Sequence, residues 1–158
     1  MAKTIIRPAT SLDFPILLEI DAASFPAGVA YDSGELSYFM NQQGAETIVL
    51  EVDGSIAAFL IVDVDLIARS AMIVTLDVRE DCRRLGFGSR LLLRSEEIVS
   101  GHNIKVFGLQ VDVHNTGAIA FYEKHGFRST RRLRRYYADG HDAWLMLKTL
   151  PQDGGKSR

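Results

Sequence analysis

The sequence has a single cysteine and no long apolar run, and these two absences exclude several classes of protein. Cys82 is the one cysteine among 158 residues, so an internal disulfide and a zinc site built on several cysteines are both impossible. No stretch has the length of apolar sequence that a membrane-spanning helix needs, and residues 1–4 lead directly into a strand pattern rather than a signal peptide. The sequence therefore predicts a cytoplasmic protein with no membrane partner.

The chain also lacks an excess of charge of one sign. Its formal net charge is -2, which disfavours nucleic acid as a partner. Basic residues do cluster late in the chain, where a strand is expected, and we predict that they form a solvent-exposed strand edge, with an acidic or RNA-bound substrate as the open alternative. The cluster consists of Arg128, Arg131, Arg132, Arg134 and Arg135.

The composition is that of one folded domain. Hydrophobic residues make up 47% of the chain and charged residues 24%, and we find neither an internal repeat nor a linker. We therefore predict a single domain over residues 1–150. Residues 151–158 are polar and contain glycine, which predicts a disordered tail.

A strand, a glycine-containing turn and a helix follow one another in the middle of the chain. Residues 74–78 have a strand pattern, and residues 89–100 have the apolar spacing of a helix. The turn between them contains Gly86 and Gly88, which allow an anion to approach the backbone closely. The first amides of a helix have no partner and carry the positive end of its dipole. This segment therefore predicts a binding site for the pyrophosphate of a cofactor.

The order of predicted elements is β-α-α-β-β-β-α-β-α-β-β. Such an order predicts an α/β protein whose mixed sheet is flanked by helices. The predicted helices begin at Ser11 and at Ser33 and then cover residues 89–100 and 116–125. The predicted strands cover residues 4–8, 46–52, 55–65, 72–78, 105–113, 127–137 and 143–150.

Two motifs placed on these elements resemble the GCN5-related N-acetyltransferase (GNAT) superfamily. Arg83-Arg84-Leu85-Gly86-Phe87-Gly88 is similar to its acetyl-CoA signature, and the segment from Asn115 to Phe127, with Ala-Phe-Tyr followed by Gly-Phe, is similar to its second motif. The resemblance implies acetyl-CoA as cofactor. It also implies a mostly antiparallel sheet of about seven strands that splays between the fourth and the fifth.

Within the superfamily the sequence is most similar to the ribosomal-protein-alanine N-acetyltransferases. Residues 25–31 resemble the substrate loop of N-terminal acetyltransferases, and residues 134–146 resemble the Tyr-Tyr, Asp-Gly and Asp-Ala pattern of that group. The resemblance implies transfer of acetyl to a protein or peptide N-terminal amine. Two alternatives stay open: a small-molecule amine acetyltransferase, with Asp32 or Glu35 binding a polyamine, and a non-catalytic module that binds CoA. The sequence leaves the oligomeric state open.

The resemblance also implies a role for individual residues, and no metal site. Tyr122 corresponds to the tyrosine that protonates the departing CoA thiolate. The implied substrate-binding residues are Tyr31, Gln110 and Tyr136. The implied cofactor-binding residues are Leu76, Asp77, Val78, Arg84, Leu85, Gly86, Phe87, Gly88, Ser89, Asn115 and Tyr122.

The general base is the point at which this sequence departs from the family pattern. Gln110 occupies the position of the family's glutamate, and a carboxamide cannot accept a proton at neutral pH. Asp112 and His114 lie on the same side of the predicted strand, and Asp77 lies on the opposing strand. An N-terminal amine has a pKa near 8, so a water chain is able to accept its proton. We therefore hypothesise that no single side chain is an essential base.

Overall fold

The computed structural model of the protein describes residues 2–152. Of the tail predicted over residues 151–158, residues 153–158 lie outside the described residues. Within residues 2–152, seven strands and four α-helices follow one another in the predicted order. The helices are α1 (Phe14–Ser24), α2 (Ser33–Met40), α3 (Phe87–Ser100) and α4 (Thr116–Lys124). The strands are β1 (Thr4–Pro8), β2 (Ala45–Val52), β3 (Ser55–Asp65), β4 (Ser70–Val78), β5 (Val106–Asp112), β6 (Arg128–Leu133) and β7 (Ala143–Thr149).

The strands form one seven-stranded sheet in the order β1-β2-β3-β4-β5-β7-β6. Every neighbouring pair is antiparallel except β4 and β5, which are parallel. The predicted mixed, mostly antiparallel sheet is confirmed. β6 lies at the sheet's edge and its arginines are exposed, as predicted for the basic cluster.

β4 and β5 separate after a short stretch of pairing. The two strands pair from Ser70 with Val106 to Ile73 with Leu109. Within the described chain no further ladder pairs join them, although both strands continue, β4 to Val78. The predicted splay between the fourth and the fifth strand is confirmed, and it leaves backbone groups on both facing edges available for a ligand.

A β-bulge in β4 decides which residues face which layer of helices. Ile61 of β3 pairs with Thr75, whereas its neighbour Val62 pairs with Ile73, so that Val74 is an extra residue. Ile73 belongs to the core under α3 and α4, while Ile61, opposite Thr75, belongs to the core under α1 and α2. The bulge thus turns Thr75 and Asp77 toward α1.

Helices cover both faces of the sheet, and each face has its own apolar core. On one face, Leu91 and Leu92 of α3 pack against β3 residues such as Leu60. On the other face, Leu17 and Ile20 of α1 pack against residues that include Phe59. Because both faces are buried, β3 is almost continuously apolar rather than alternating.

Two details of the sequence prediction were wrong. The strand predicted over residues 127–137 ends at Leu133, because Arg135 adopts a left-handed conformation with φ of 49° and its amide donates to Asp142 instead of a neighbouring strand. The second helix is capped by Asp32 rather than Ser33. Asp32 Oδ1 accepts the amide of Glu35 at 2.8 Å, and Glu35 Oε1 accepts the amide of Asp32 at 3.0 Å, a reciprocal capping box.

Candidate active site

A cavity of about 760 Å³ opens where β4 and β5 separate. Its wall combines the exposed ends of these strands, the start of α4, the loop after α1 and the loop between β6 and β7. The cavity brings together six of the predicted site residues: Tyr31, Leu76, Gln110, Asn115, Tyr122 and Tyr136. Asp77, Val78 and residues 84–89, which were predicted to bind cofactor, are not part of this wall in the described chain.

The turn before α3 has the form of an anion site. Gly86 precedes the helix with φ of 83°, a left-handed conformation that favours glycine. Among residues 2–152 no side chain caps this helix, so its first amides are available to an external acceptor. Gly88 lies close to α4, since a Cβ placed on it would lie 3.5 Å from the ring of Phe121. The start of α3 therefore adjoins the helix that carries Tyr122.

Tyr122 is a buried phenol in the wall of the cavity. Its ring lies edge-on to those of Phe121 and Phe127, with centroids 5.1 and 5.7 Å away. Burial, and secondarily the charge of Asp77, raises the pKa of Tyr122 above its ordinary value near 10. The phenol therefore stays protonated at neutral pH and is able to donate to a stronger base.

Asn115 lies at the start of α4, where it caps the helix. Its side-chain oxygen accepts the amide of Ala118 at 3.1 Å. The side-chain NH₂ group is left as a donor at the wall of the cavity. Contact with a cofactor stays a prediction for this residue.

Tyrosines line the side of the cavity that is formed by loops. The ring of Tyr31 packs on Phe39 at 4.9 Å, and Tyr136 packs on Tyr137 at 5.0 Å. Tyrosine is ordinarily neutral at physiological pH, and burial raises the pKa of Tyr31, Tyr136 and Tyr137 further. Neutral phenols with aromatic faces suit a ligand that has both apolar and hydrogen-bonding groups.

Asp77 lies against Asp21 of α1, a residue that the sequence analysis missed. Asp21 Oδ2 accepts the amide of Tyr31 at 2.7 Å, and Asp77 Oδ1 accepts the hydroxyl of Thr75 at 2.5 Å. Asp21 is fully buried and Asp77 is 1% exposed. An aspartate that directly follows the buried Ile20 and is four residues after the buried Leu17 is a signal that the sequence does contain.

The other two base candidates lie together at the rim of the cavity. Asp112 Oδ1 is 3.2 Å from His114 Nδ1, and its Oδ2 is 2.7 Å from Nδ1 of His141, which the sequence analysis also missed. The hydrogen bond to Asp112 raises the pKa of His141. Two imidazoles and a carboxylate are ligands that Zn²⁺ accepts, and the ligand atoms of these three residues lie within 4.8 Å of one another. In this structure, however, the three side chains are hydrogen-bonded to each other.

Comparison with known proteins is consistent with this geometry. The sequence profile of the acetyltransferase (GNAT) family matches residues 14–127. The chain is 31% identical over 160 residues to an N-alpha-acetyltransferase of Sulfurisphaera tokodaii, with 92% of each chain covered. It is 29% identical over 141 residues to the ribosomal protein bS18-alanine N-acetyltransferase of Salmonella typhimurium, covering 87% of this chain and 91% of that protein. The fold matches the crystal structure of the ribosomal-protein-S18-alanine N-acetyltransferase from Escherichia coli with a TM-score of 0.86 and 24% identity, over 99% of both chains.

Proposed function

We propose a function from one established premise: the chain belongs to the acetyltransferase (GNAT) family and is an N-acetyltransferase. In our proposal the acetyl donor is acetyl-CoA, and the acceptor is the α-amino group at the N-terminus of a peptide or protein. The observation that carries the proposal is the splay between β4 and β5 with the buried Tyr122 in the wall of the cavity that it opens. The name of the Sulfurisphaera relative supports an α-amine as acceptor.

The residues present fit acetyl-CoA at two places. The unpaired edge of β4 beyond Ile73 offers backbone groups to an extended arm that carries amides, as an added strand would. The amides at the start of α3, beside Gly86, offer donors to a pyrophosphate. When bound, acetyl-CoA supplies an activated acetyl thioester.

The chain's own groups then orient the acceptor and move protons. Tyr122 holds its proton on Oη and donates it to a leaving sulfur. Gln110 lies in the cavity wall, where its carboxamide is able to orient the amine or a water, although it cannot take a proton. The tyrosine-lined side, with Tyr31 and Tyr136, would hold the first residues of the acceptor peptide.

The small-amine alternative keeps one of its two expected acidic groups, Glu35, in the cavity wall. Asp32 and Glu35 were the carboxylates that a polyamine site would use. Each accepts a backbone amide in the capping box of α2. Their position is thus explained by helix capping.

A thiol-release assay with acetyl-CoA distinguishes the acceptors. We expect turnover with a panel of peptides that have free N-termini and little turnover with polyamines or drug-like amines. Tyr31→Ala should raise KM for the peptide and leave KM for acetyl-CoA unchanged, because Tyr31 lies on the acceptor side of the cavity. Tyr38→Ala is the matched control, since Tyr38 is 60% exposed and lies outside the cavity wall of the described chain. Faster turnover of small amines than of every peptide would reject the proposal.

A further inference from the structure

We propose that Asp21 and Asp77 share one proton, and that the single negative charge which they retain lies beneath the acceptor cavity and stabilises the positive nitrogen during transfer. The second half of this statement rests on the proposed function, whereas the shared proton does not. In this role the two aspartates are positioning residues that act through the electrostatic potential of the cavity.

Each carboxyl group has one oxygen in use and one without a donor. Asp21 Oδ2 accepts from the amide of Tyr31, and Asp77 Oδ1 accepts from Thr75. Asp21 Oδ1 and Asp77 Oδ2 are buried without a hydrogen-bond partner among residues 2–152. The two side chains lie close enough for a hydrogen bond between them once one of the two carries a proton. A proton between them converts two unsatisfied acceptors into one carboxyl–carboxylate hydrogen bond.

The alternative protonation states are less favourable. Two ionised carboxylates in contact and out of water repel each other and have lost their solvation. Burial and the neighbouring Asp21 accordingly raise the pKa of Asp77 well above its ordinary value, although Thr75 and Arg83 oppose the shift. Two protonated carboxyls would need a further acceptor. The most favourable state at neutral pH is therefore a pair that holds one proton and one negative charge.

The negative charge of the aspartate pair lies between the acceptor side of the cavity, at Tyr31, and the phenol of Tyr122. Asp21 is part of the cavity wall and holds the backbone of Tyr31 on the acceptor side. Asp77 is near enough to Tyr122 to raise the pKa of that phenol. An amine that attacks near Tyr122 becomes positively charged close to this pair, so a fixed negative charge favours that state over the neutral amine. The titratable or charged groups around the pair are Tyr31, Arg83 and Tyr122, and Glu35 lies near Tyr31.

Asparagine variants separate charge from shape. In Asp77→Asn the new amide donates to Asp21, and in Asp21→Asn the amide donates to Asp77 while its oxygen still accepts from Tyr31. Each single variant therefore keeps one negative charge, and the double variant keeps none. We expect kcat/KM within about threefold of the native value for each single variant, and a loss on the order of 30-fold for the double variant.

The electrostatic role would be overturned if the double variant matched the single variants, or if each single variant lost as much activity as the double. Thermal melts of all three variants establish that they are folded before their kinetics are compared. The pH profile gives a second readout, because the native pair loses its shared proton under alkaline conditions and the single variants have none to lose. A second negative charge beside the amine should favour the cationic state further, so we expect the ratio of native to single-variant kcat/KM to rise in alkali; a ratio that does not change with pH would reject the assignment.

Infrared spectroscopy tests the shared proton without any assay of acetylation. At neutral pH the native protein should show the C=O stretch of a protonated carboxyl, and each single variant should lose it. Asp81→Asn, at a carboxylate with 67% side-chain exposure, should keep the band. Absence of the band, or its survival in both single variants, would reject proton sharing whether or not the protein acetylates peptides. A band that behaves as expected in a protein that acetylates no peptide would reject the proposed function and leave the shared proton standing.

Discussion

At the scale of residues, residue type and burial together decide which groups of the cavity are able to move a proton. Tyr122 is protonated at neutral pH as any phenol is, and burial raises its pKa further. Gln110 occupies a wall position where a carboxylate would serve as a base, so proton removal from the amine depends on solvent or on other groups. At the rim of the cavity, Asp112 is hydrogen-bonded to His114 and His141.

Replacing Tyr122 by phenylalanine should lower kcat about 100-fold, the lower end of what a general acid contributes. The ring and its packing on Phe121 and Phe127 are retained, so acetyl-CoA should bind with nearly native affinity. Steady-state kinetics and calorimetry measure the two effects separately. Tyr38→Phe, on the exposed face of α2, controls for the loss of a phenol elsewhere. Unchanged turnover in Tyr122→Phe would refute the acid role.

At the scale of elements, a glycine is required either by a left-handed backbone or by close packing. Gly86 and Gly54 have nearly equal φ angles of 83° and 85°, and a Cβ added to either would contact nothing among the described atoms. They differ in place: Gly86 starts α3 beside the proposed pyrophosphate site, and Gly54 lies in the turn between β2 and β3. A comparison of alanine variants at the two positions therefore separates the effect of backbone strain from an effect on cofactor binding.

We expect Gly86→Ala and Gly54→Ala to lose similar stability, about 1 kcal/mol each, because both force alanine into the left-handed region. KM for acetyl-CoA should rise only in Gly86→Ala, whose strained turn misplaces the first amides of α3. Denaturant unfolding measures the change in stability, and steady-state kinetics measure KM for acetyl-CoA. An equal rise in KM for both variants would contradict the assignment of the pyrophosphate to this turn.

Gly108 of β5 is held to glycine by close packing rather than by its backbone angles. A Cβ there would lie 2.6 Å from the side chain of Leu147 and 3.1 Å from the backbone oxygen of Met146. We expect Gly108→Ala to destabilise the fold by about 1–3 kcal/mol, as overpacking does. Gly117→Ala, at a site with no atom within 4 Å in the described chain, should be neutral or slightly stabilising. Equal melting temperatures for the two variants would contradict this.

At the scale of the whole molecule, Arg7 ties separate parts of the chain together. Its guanidinium binds Asp13, just before α1, at 2.8 and 3.0 Å, and its Nε binds Glu51 of β2 at 2.6 Å. The two-pronged bond to Arg7 lowers the pKa of Asp13 to about 2. The chain segment before α1 is thereby fixed to the sheet edge that β1 forms.

Arg7→Met should destabilise the protein by about 2 kcal/mol at neutral pH, since it leaves two carboxylates without their cation. The folded pKa of Asp13 lies below its unfolded value near 3.9, so the stabilisation is present above about pH 4 and lost as the pH falls toward 2. Denaturant unfolding at pH 7 and in acid should therefore show a gap between native and variant that closes in acid. Arg94→Met, which removes an exposed pair with Glu97, should cost under about 0.5 kcal/mol.

The sequence by itself determined the order of elements, the glycine turn and the second motif around Asn115 and Tyr122. These follow from local periodicity, turn residues and short motifs, all of which involve neighbours along the chain. The strand predicted through residue 137 was wrong because the bond between Arg135 and Asp142 is a contact that local propensity does not contain.

Only the tertiary structure decided which groups meet in the cavity. The bulge at Val74 sets the face on which Asp77 lies, and its meeting with Asp21 depends on how α1 packs over β4. The same holds for His141, which reaches Asp112 from the loop between β6 and β7. Residues far apart in sequence come into contact through long-range packing, so their shared proton or hydrogen bond leaves no local pattern. The pyrophosphate site was therefore predictable from one segment, whereas the groups that surround the acceptor amine were not.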